Sequence, residues 1–203
     1  LQHTPAIEHA PEATTTGINH RKMLIWVFLG SECMFFGSLI ATYLLYYGRS
    51  LPGTPTPADI LDIPTTSVST FVLLMSSLMM VMAYSSIAKG NLRNFRIWII
   101  CTALLGATFL GFQIFEFTEF ARDGLTPRTN LFGSTFFTLT GFHGAHVTVG
   151  VIWLVSLFGY SFKGDLTREG ALSVDMAALY WHFVDIVWIV IFTVIYLIGV
   201  TNA

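Results

Sequence analysis

Charge is what this sequence has least of. Its 203 residues include ten Lys+Arg and twelve Asp+Glu, or 11%, where soluble domains average about 25%. So few charges cannot cover a soluble globule of this length, so water is not the chain's main solvent. Basic residues are scarce too: the net charge is -2 and the pI is near 6.3. That excludes the basic stripe of a nucleic-acid binder. Cysteine is limited to Cys33 and Cys101, both inside apolar runs and without CxxC spacing, which excludes a disulfide framework or zinc ribbon. The sequence also lacks a glycine-rich phosphate loop, a Gly-x-Ser-x-Gly elbow and a His-Glu-x-x-His pair, the devices of many soluble enzymes. Apolar residues are abundant instead, at 54% of the chain with 18 Phe and a mean hydropathy of +0.67.

The apolar residues gather into five runs, at Met23–Tyr47, Ser67–Ala88, Ile97–Ala121, Phe132–Ser161 and Ala178–Val200. Each is long enough for the ~20 residues that span a bilayer as a helix. None alternates apolar and polar like a barrel strand, and a helix satisfies its own backbone in lipid. The expected fold is all-α: a polytopic five-helix transmembrane bundle, residues 23–203, preceded by a polar tail, 1–22. The connections carry the turn formers. Leu51–Pro64 holds four prolines, Lys89–Arg96 is short and basic, Asp123–Leu131 contains Gly124 and Pro127, and Lys163–Asp175 has mixed charge. With five spans, one side of the membrane receives Arg21, Lys22, Lys89, Arg93, Arg96, Lys163 and Arg168, and the other Arg49, Arg122 and Arg128. The positive-inside rule then places the amino terminus in the cytoplasm (or matrix) and the carboxyl terminus outside.

Seven ionisable side chains fall within the runs: Glu32, Glu116, Glu119, His143, His146, His182 and Asp185. A charge at the centre of a lone membrane helix costs about 2.5–3.5 kcal/mol on insertion scales, so such groups normally face the bundle interior and pair. Glu116/Glu119, His143/His146 and His182/Asp185 are i,i+3 pairs on shared helix faces. At ~1.5 Å rise per residue, Glu32 lies about 13 Å in from the cytoplasmic end of its run and Asp185 about 10 Å. His143 and His146 reach a similar depth. Glu32, His143, His146, His182 and Asp185 are therefore expected to form one polar network in the inner half, with Glu116 and Glu119 as a separate pair near the outer end. Such a network suits hydrogen bonds that lock helices together, a proton relay, a metal or haem site, or a docking face. The metal reading has little ligand spacing behind it: a di-iron bundle needs Glu-x-x-His, which is absent. Zinc on the paired histidines with Glu32 or Asp185, or haem between His143 and His182, rests on residue types alone.

Glu32 has Phe28, Phe35 and Phe36 about one turn away, a setting for a proton-transfer group or for a hydrogen bond that clasps a neighbouring helix. Gly30, Cys33, Gly37 and Ala41 line its opposite face, small enough for close helix approach. The second run, without an ionisable group and rich in methionine, is expected to be mainly lipid- or partner-facing.

Several long motifs agree with one family. Gly133-Ser-Thr-Phe-Phe-Thr-Leu-Thr-Gly-Phe-His-Gly-Ala-His-Val-Thr-Val-Gly150 and Tyr180-Trp-His-Phe-Val-Asp-Ile-Val-Trp188 closely resemble signatures of haem-copper oxidase subunit III. Ser31-Glu32-Cys-Met-Phe-Phe-Gly37 is similar to that family's segment around a membrane-embedded glutamate, and Gln113-Ile-Phe-Glu116 matches more loosely. The resemblance runs from about Met23 to Val200, in order. It implies an accessory subunit of a respiratory cytochrome c oxidase, itself neither redox-active nor catalytic, with haem and copper held by partner subunits. It also implies a main partner in subunit I, contacts with subunit II and small subunits, bound phospholipid, and support of proton uptake and of the oxygen-reducing centre. A quinol oxidase is the near alternative, and a self-contained membrane metal or haem protein the distant one. The family glutamate maps onto Glu32, its histidines onto His143, His146 and His182, and its aspartate onto Asp185. The seven-helix mitochondrial form has two further helices where this chain has its polar tail, as in five-helix bacterial forms. That implies a bacterial plasma membrane and puts one wall of the lipid cleft in question.

Overall fold

The computed structural model describes residues 20–47, 49, 61–163 and 168–198. The first nineteen residues of the expected tail, most of the proline-rich connection, residues 164–167 and the last five lie outside the described residues. Among the described residues there are five helices long and apolar enough to cross a membrane, and no strand. They are α1 (His20–Tyr46), α2 (Ile63–Ala88), α3 (Leu92–Arg122), α4 (Leu131–Tyr160) and α5 (Arg168–Phe192), the last continuing as a π-helical end, Thr193–Ile198. The chain is a multi-pass membrane protein.

Local chemistry sets the ends. Pro64 stands in the first turn of α2, where its missing N–H removes a donor that would have had no partner. Gly90 and Gly124, at φ +72° and +85°, close α2 and α3 in the left-handed conformation that glycine adopts without strain. Asn91 and Asn130 cap α3 and α4, their side chains accepting from the backbone N–H groups of Asn94 and Gly133. All five helices start earlier than the apolar runs suggest, α5 by the most. Arg168 opens α5 ten residues ahead of the expected span, and His20 opens α1 within the expected tail. Hydropathy marks the part of a helix that lies in lipid, whereas polar residues continue the same helix beyond it.

Helix α5 lies against α1, α2 and α4; α2 runs along α3, and α3 along α4. Lipid tails are as apolar as leucine, so close packing and hydrogen bonds hold membrane helices together. Trp181 carries much of that contact. A Cβ added at Gly106 on α3 would lie 2.5 Å from its ring, and one at Gly150 on α4 2.8 Å. The indole N–H donates to Ser76 on α2 at 3.0 Å. Two turns on, Trp188 donates to Thr70 at 2.9 Å. By contrast α1 buries one narrow seam, Ile25, Leu29, Phe36 and Tyr43. Its face bearing Gly30, Cys33 and Gly37 is exposed, so the close approach expected there involves no helix among the described residues. Lys22 on α1 pairs with Asp175 on α5 at 2.7 Å, and Arg96 on α3 bonds Ser161 after α4. These contacts gather the ends that the charge count assigns to one side.

Candidate functional site

The site begins at the α1–α4 contact, near the middle of both helices. His146 Nδ1 is 2.8 Å from the Phe142 carbonyl; a carbonyl only accepts, so Nδ1 carries the hydrogen and Nε2 is left to face Glu32. Nε2 and Glu32 Oε2 are 3.2 Å apart, within ion-pair range though too poorly aligned for a hydrogen bond. Phe36 lies edge-on to His146 at 5.0 Å, and the Tyr180 hydroxyl donates to the His146 carbonyl at 2.9 Å. Beside the pair opens a groove of about 490 Å³, lined by Glu32, His146 and aromatic rings of α1, α4 and α5.

His143 faces elsewhere. Its ring is fully buried, stacks on Trp188 at 4.9 Å, and meets Phe109 and Phe36 edge-on. Neither ring nitrogen has a hydrogen-bond partner among the described residues. A step of three residues turns a side chain by about 60°, enough to send His143 to the bundle core and His146 to the groove. On α5, His182 Nδ1 is 2.6 Å from the Ser77 hydroxyl, while the buried Asp185, one turn along, keeps its Oδ1 without a hydrogen-bond partner among the described residues. The expected single network is therefore two clusters, Glu32–His146 on α1/α4 and His182–Ser77 on α2/α5 with Asp185 one turn along α5. Trp188 and His143 lie between them. No hydrogen bond or ion pair joins the two clusters among the described residues.

Glu116 and Glu119 part in the same way. Buried Glu116 accepts from Thr66 on α2, while Glu119 pairs with Arg122 at 2.7 Å on the exposed side of its own helix. They do not act as one pair.

A family model described as "Cytochrome c oxidase subunit III" matches residues 6–200. The chain belongs to that family. The cytochrome c oxidase subunit 3 of Bacillus sp. (strain PS3) is 40% identical over 194 residues, 95% of this chain and 93% of that protein. The corresponding protein of Alkalihalophilus pseudofirmus is also 40% identical, over 195 residues, with the same coverage. A quinol oxidase subunit 3, from Bacillus spizizenii, is 38% identical over 174 residues, 86% of this chain and 85% of that protein. A third subunit implies others, so this subunit III works within an oxidase assembly.

Sequence reasoning missed the hydroxyls of α2. Thr66, Thr70, Ser76 and Ser77 serve Glu116, Trp188, Trp181 and His182 in turn, so α2 is a polar clasp as well as a lipid-facing helix. The step of four from Thr66 to Thr70 and of seven from Thr70 to Ser77 along an apolar run was the available signal. Gln113 was overlooked as a contact: it donates to the Thr140 carbonyl at 2.7 Å and lies so close to Gly144 that a Cβ there would be 2.6 Å from it.

Proposed function

We propose that this chain is the accessory, non-redox subunit III of a respiratory haem-copper cytochrome c oxidase. In this reading it braces subunit I, binds phospholipid and sustains proton uptake during oxygen reduction, without catalysing a step itself. Haem and copper belong to partner subunits; subunit I is the main partner, with subunit II and small subunits nearby. It resides in a bacterial plasma membrane with its amino terminus in the cytoplasm and carboxyl terminus outside, residues 23–203 forming one domain behind a polar tail. One observation carries the reading: each intramembrane histidine is engaged separately. His143 is enclosed by rings, His146 faces Glu32, and His182 is held by Ser77. Among the described residues no three His, Cys, Asp or Glu side chains converge as a metal site would require.

Purifying the oxidase and separating this chain from it tests the proposal. The isolated chain is expected to lack a Soret band, and the oxidase left behind to keep its haem spectrum while inactivating faster during turnover. A Soret band that stays with the chain would overturn it. Relatives named as quinol oxidase subunits are nearly as similar as those named as cytochrome c oxidase subunits. The longer match to the latter supports cytochrome c as donor. A copper-binding second subunit in the complex is the expected result; its absence selects the quinol reading.

A further inference from the structure

We propose that the groove beside Glu32 and His146 binds the hydroxylated ring of a membrane-soluble quinol or its quinone. This rests on the chain being an oxidase subunit and adds a ligand to the site described above.

Depth comes first. Glu32 is near the middle of the 27-residue α1, and His146 near the middle of the 30-residue α4. At ~1.5 Å per residue both are about 20 Å from the helix ends. The hydrocarbon core is about 30 Å thick, so a phospholipid headgroup stays about 15 Å from the midplane and only its acyl chains reach the pair. The pair is not sealed: the two side chains keep 17% and 20% of their exposure and both line the groove. An acyl chain laid on a carboxyl and an imidazole leaves polar atoms without partners, which is costly in hydrocarbon. A polar ring on an apolar tail satisfies both requirements at this depth.

The geometry suits that ring. The backbone bond from Nδ1 to Phe142 holds the imidazole in place beside the carboxyl, so the two polar groups face the groove together. The pair accepts from a quinol hydroxyl as carboxylate, or donates to a quinone carbonyl in its protonated form. The walls are aromatic. Phe28 stacks with Tyr180 at 6.3 Å, and Tyr180 meets Trp153 at 5.7 Å. Ala145 and Val149 of α4 also line the groove. Its volume of about 490 Å³ falls within the ~300–1,000 Å³ of ordinary small-molecule sites, and aromatic faces favour a planar guest.

The test uses the intact oxidase, purified with all its subunits and placed in lipid nanodiscs. An azido-quinone photoprobe is compared with a phospholipid carrying a diazirine on its acyl chain. The azido-quinone is expected to label peptides of α1 and α4, and excess unlabelled quinol to compete. Ala145→Trp fills the groove from an exposed position and should cut that labelling about tenfold or more, equivalent to ~1.4 kcal/mol. Met34→Trp, on the outward face of α1 where Met34 is 80% exposed, should leave it unchanged. Three results overturn the proposal: no label on these helices in an active oxidase, label unaffected by Ala145→Trp, or acyl-probe label there that excess quinol does not displace. Because the complex is already assembled and active, any of them leaves the subunit III assignment standing.

Discussion

At Glu32 a carboxyl oxygen faces an imidazole nitrogen midway along α1 and α4, and His146 is held in place by its bond to Phe142. Glu32→Gln keeps a group of the same shape that donates to the neutral Nε2. It is expected to leave the oxidase assembled and to shift stability by less than about 1 kcal/mol. Glu32→Ala removes the partner and leaves the imidazole unmatched, so a loss of about 1–3 kcal/mol is expected. Thermal unfolding of the detergent-solubilised complex distinguishes the two. If the Gln variant is as damaged as the Ala variant, the interaction depends on a charged carboxylate. Conversely, equal tolerance of both would show that the pair does not hold α1 in place.

Between elements, closeness is set by glycine. Gly106 and Gly150 admit the Trp181 ring from two sides, while no atom beyond its own helix lies within 4 Å of a Cβ added at Gly30. Gly106→Ala places a methyl group inside the ring's contact distance and is expected to cost about 1–3 kcal/mol as overpacking. Gly30→Ala should be neutral or, through helix propensity, stabilising by up to about 1 kcal/mol in the isolated chain. Melting temperatures of the two variants side by side decide this; equal values would mean that Trp181 shifts freely. These glycines also mark where sequence reading stops. Gly30, Gly106 and Gly150 look alike in the chain, and only the helix arrangement separates an interface from an open face. The five spans were legible because hydropathy over ~20 residues is a strong signal. The start of α5 was not, since its first turns are polar. The buried ionisable residues were legible from their cost in lipid, but their partners were not. Serine and threonine in membrane helices also bond their own backbone, as Thr102 does to Trp98, so a hydroxyl taken singly does not distinguish such a residue from Ser77, which crosses to α5.

At the scale of the molecule, the alternation of five helices places the start of α1 and the α2–α3 turn on one side, and the α3–α4 connection on the other. A cysteine at Lys89 is expected to react with an impermeant maleimide only from the cytoplasmic face, and one at Arg128 only from outside, with Cys33 and Cys101 replaced by serine beforehand. The reverse pattern would invert the orientation drawn from the charge count. The same arrangement has a consequence in time. Glu32 belongs to α1, and the imidazole that meets it comes from α4, made on the order of a hundred residues later. At ~5–20 residues per second, the carboxyl waits several seconds or longer in or near the bilayer before His146 arrives. For that interval α1 has no α4 to dock against. Its seam and its acid must be sheltered by the insertion machinery, by water at the membrane surface, or by another protein already in place.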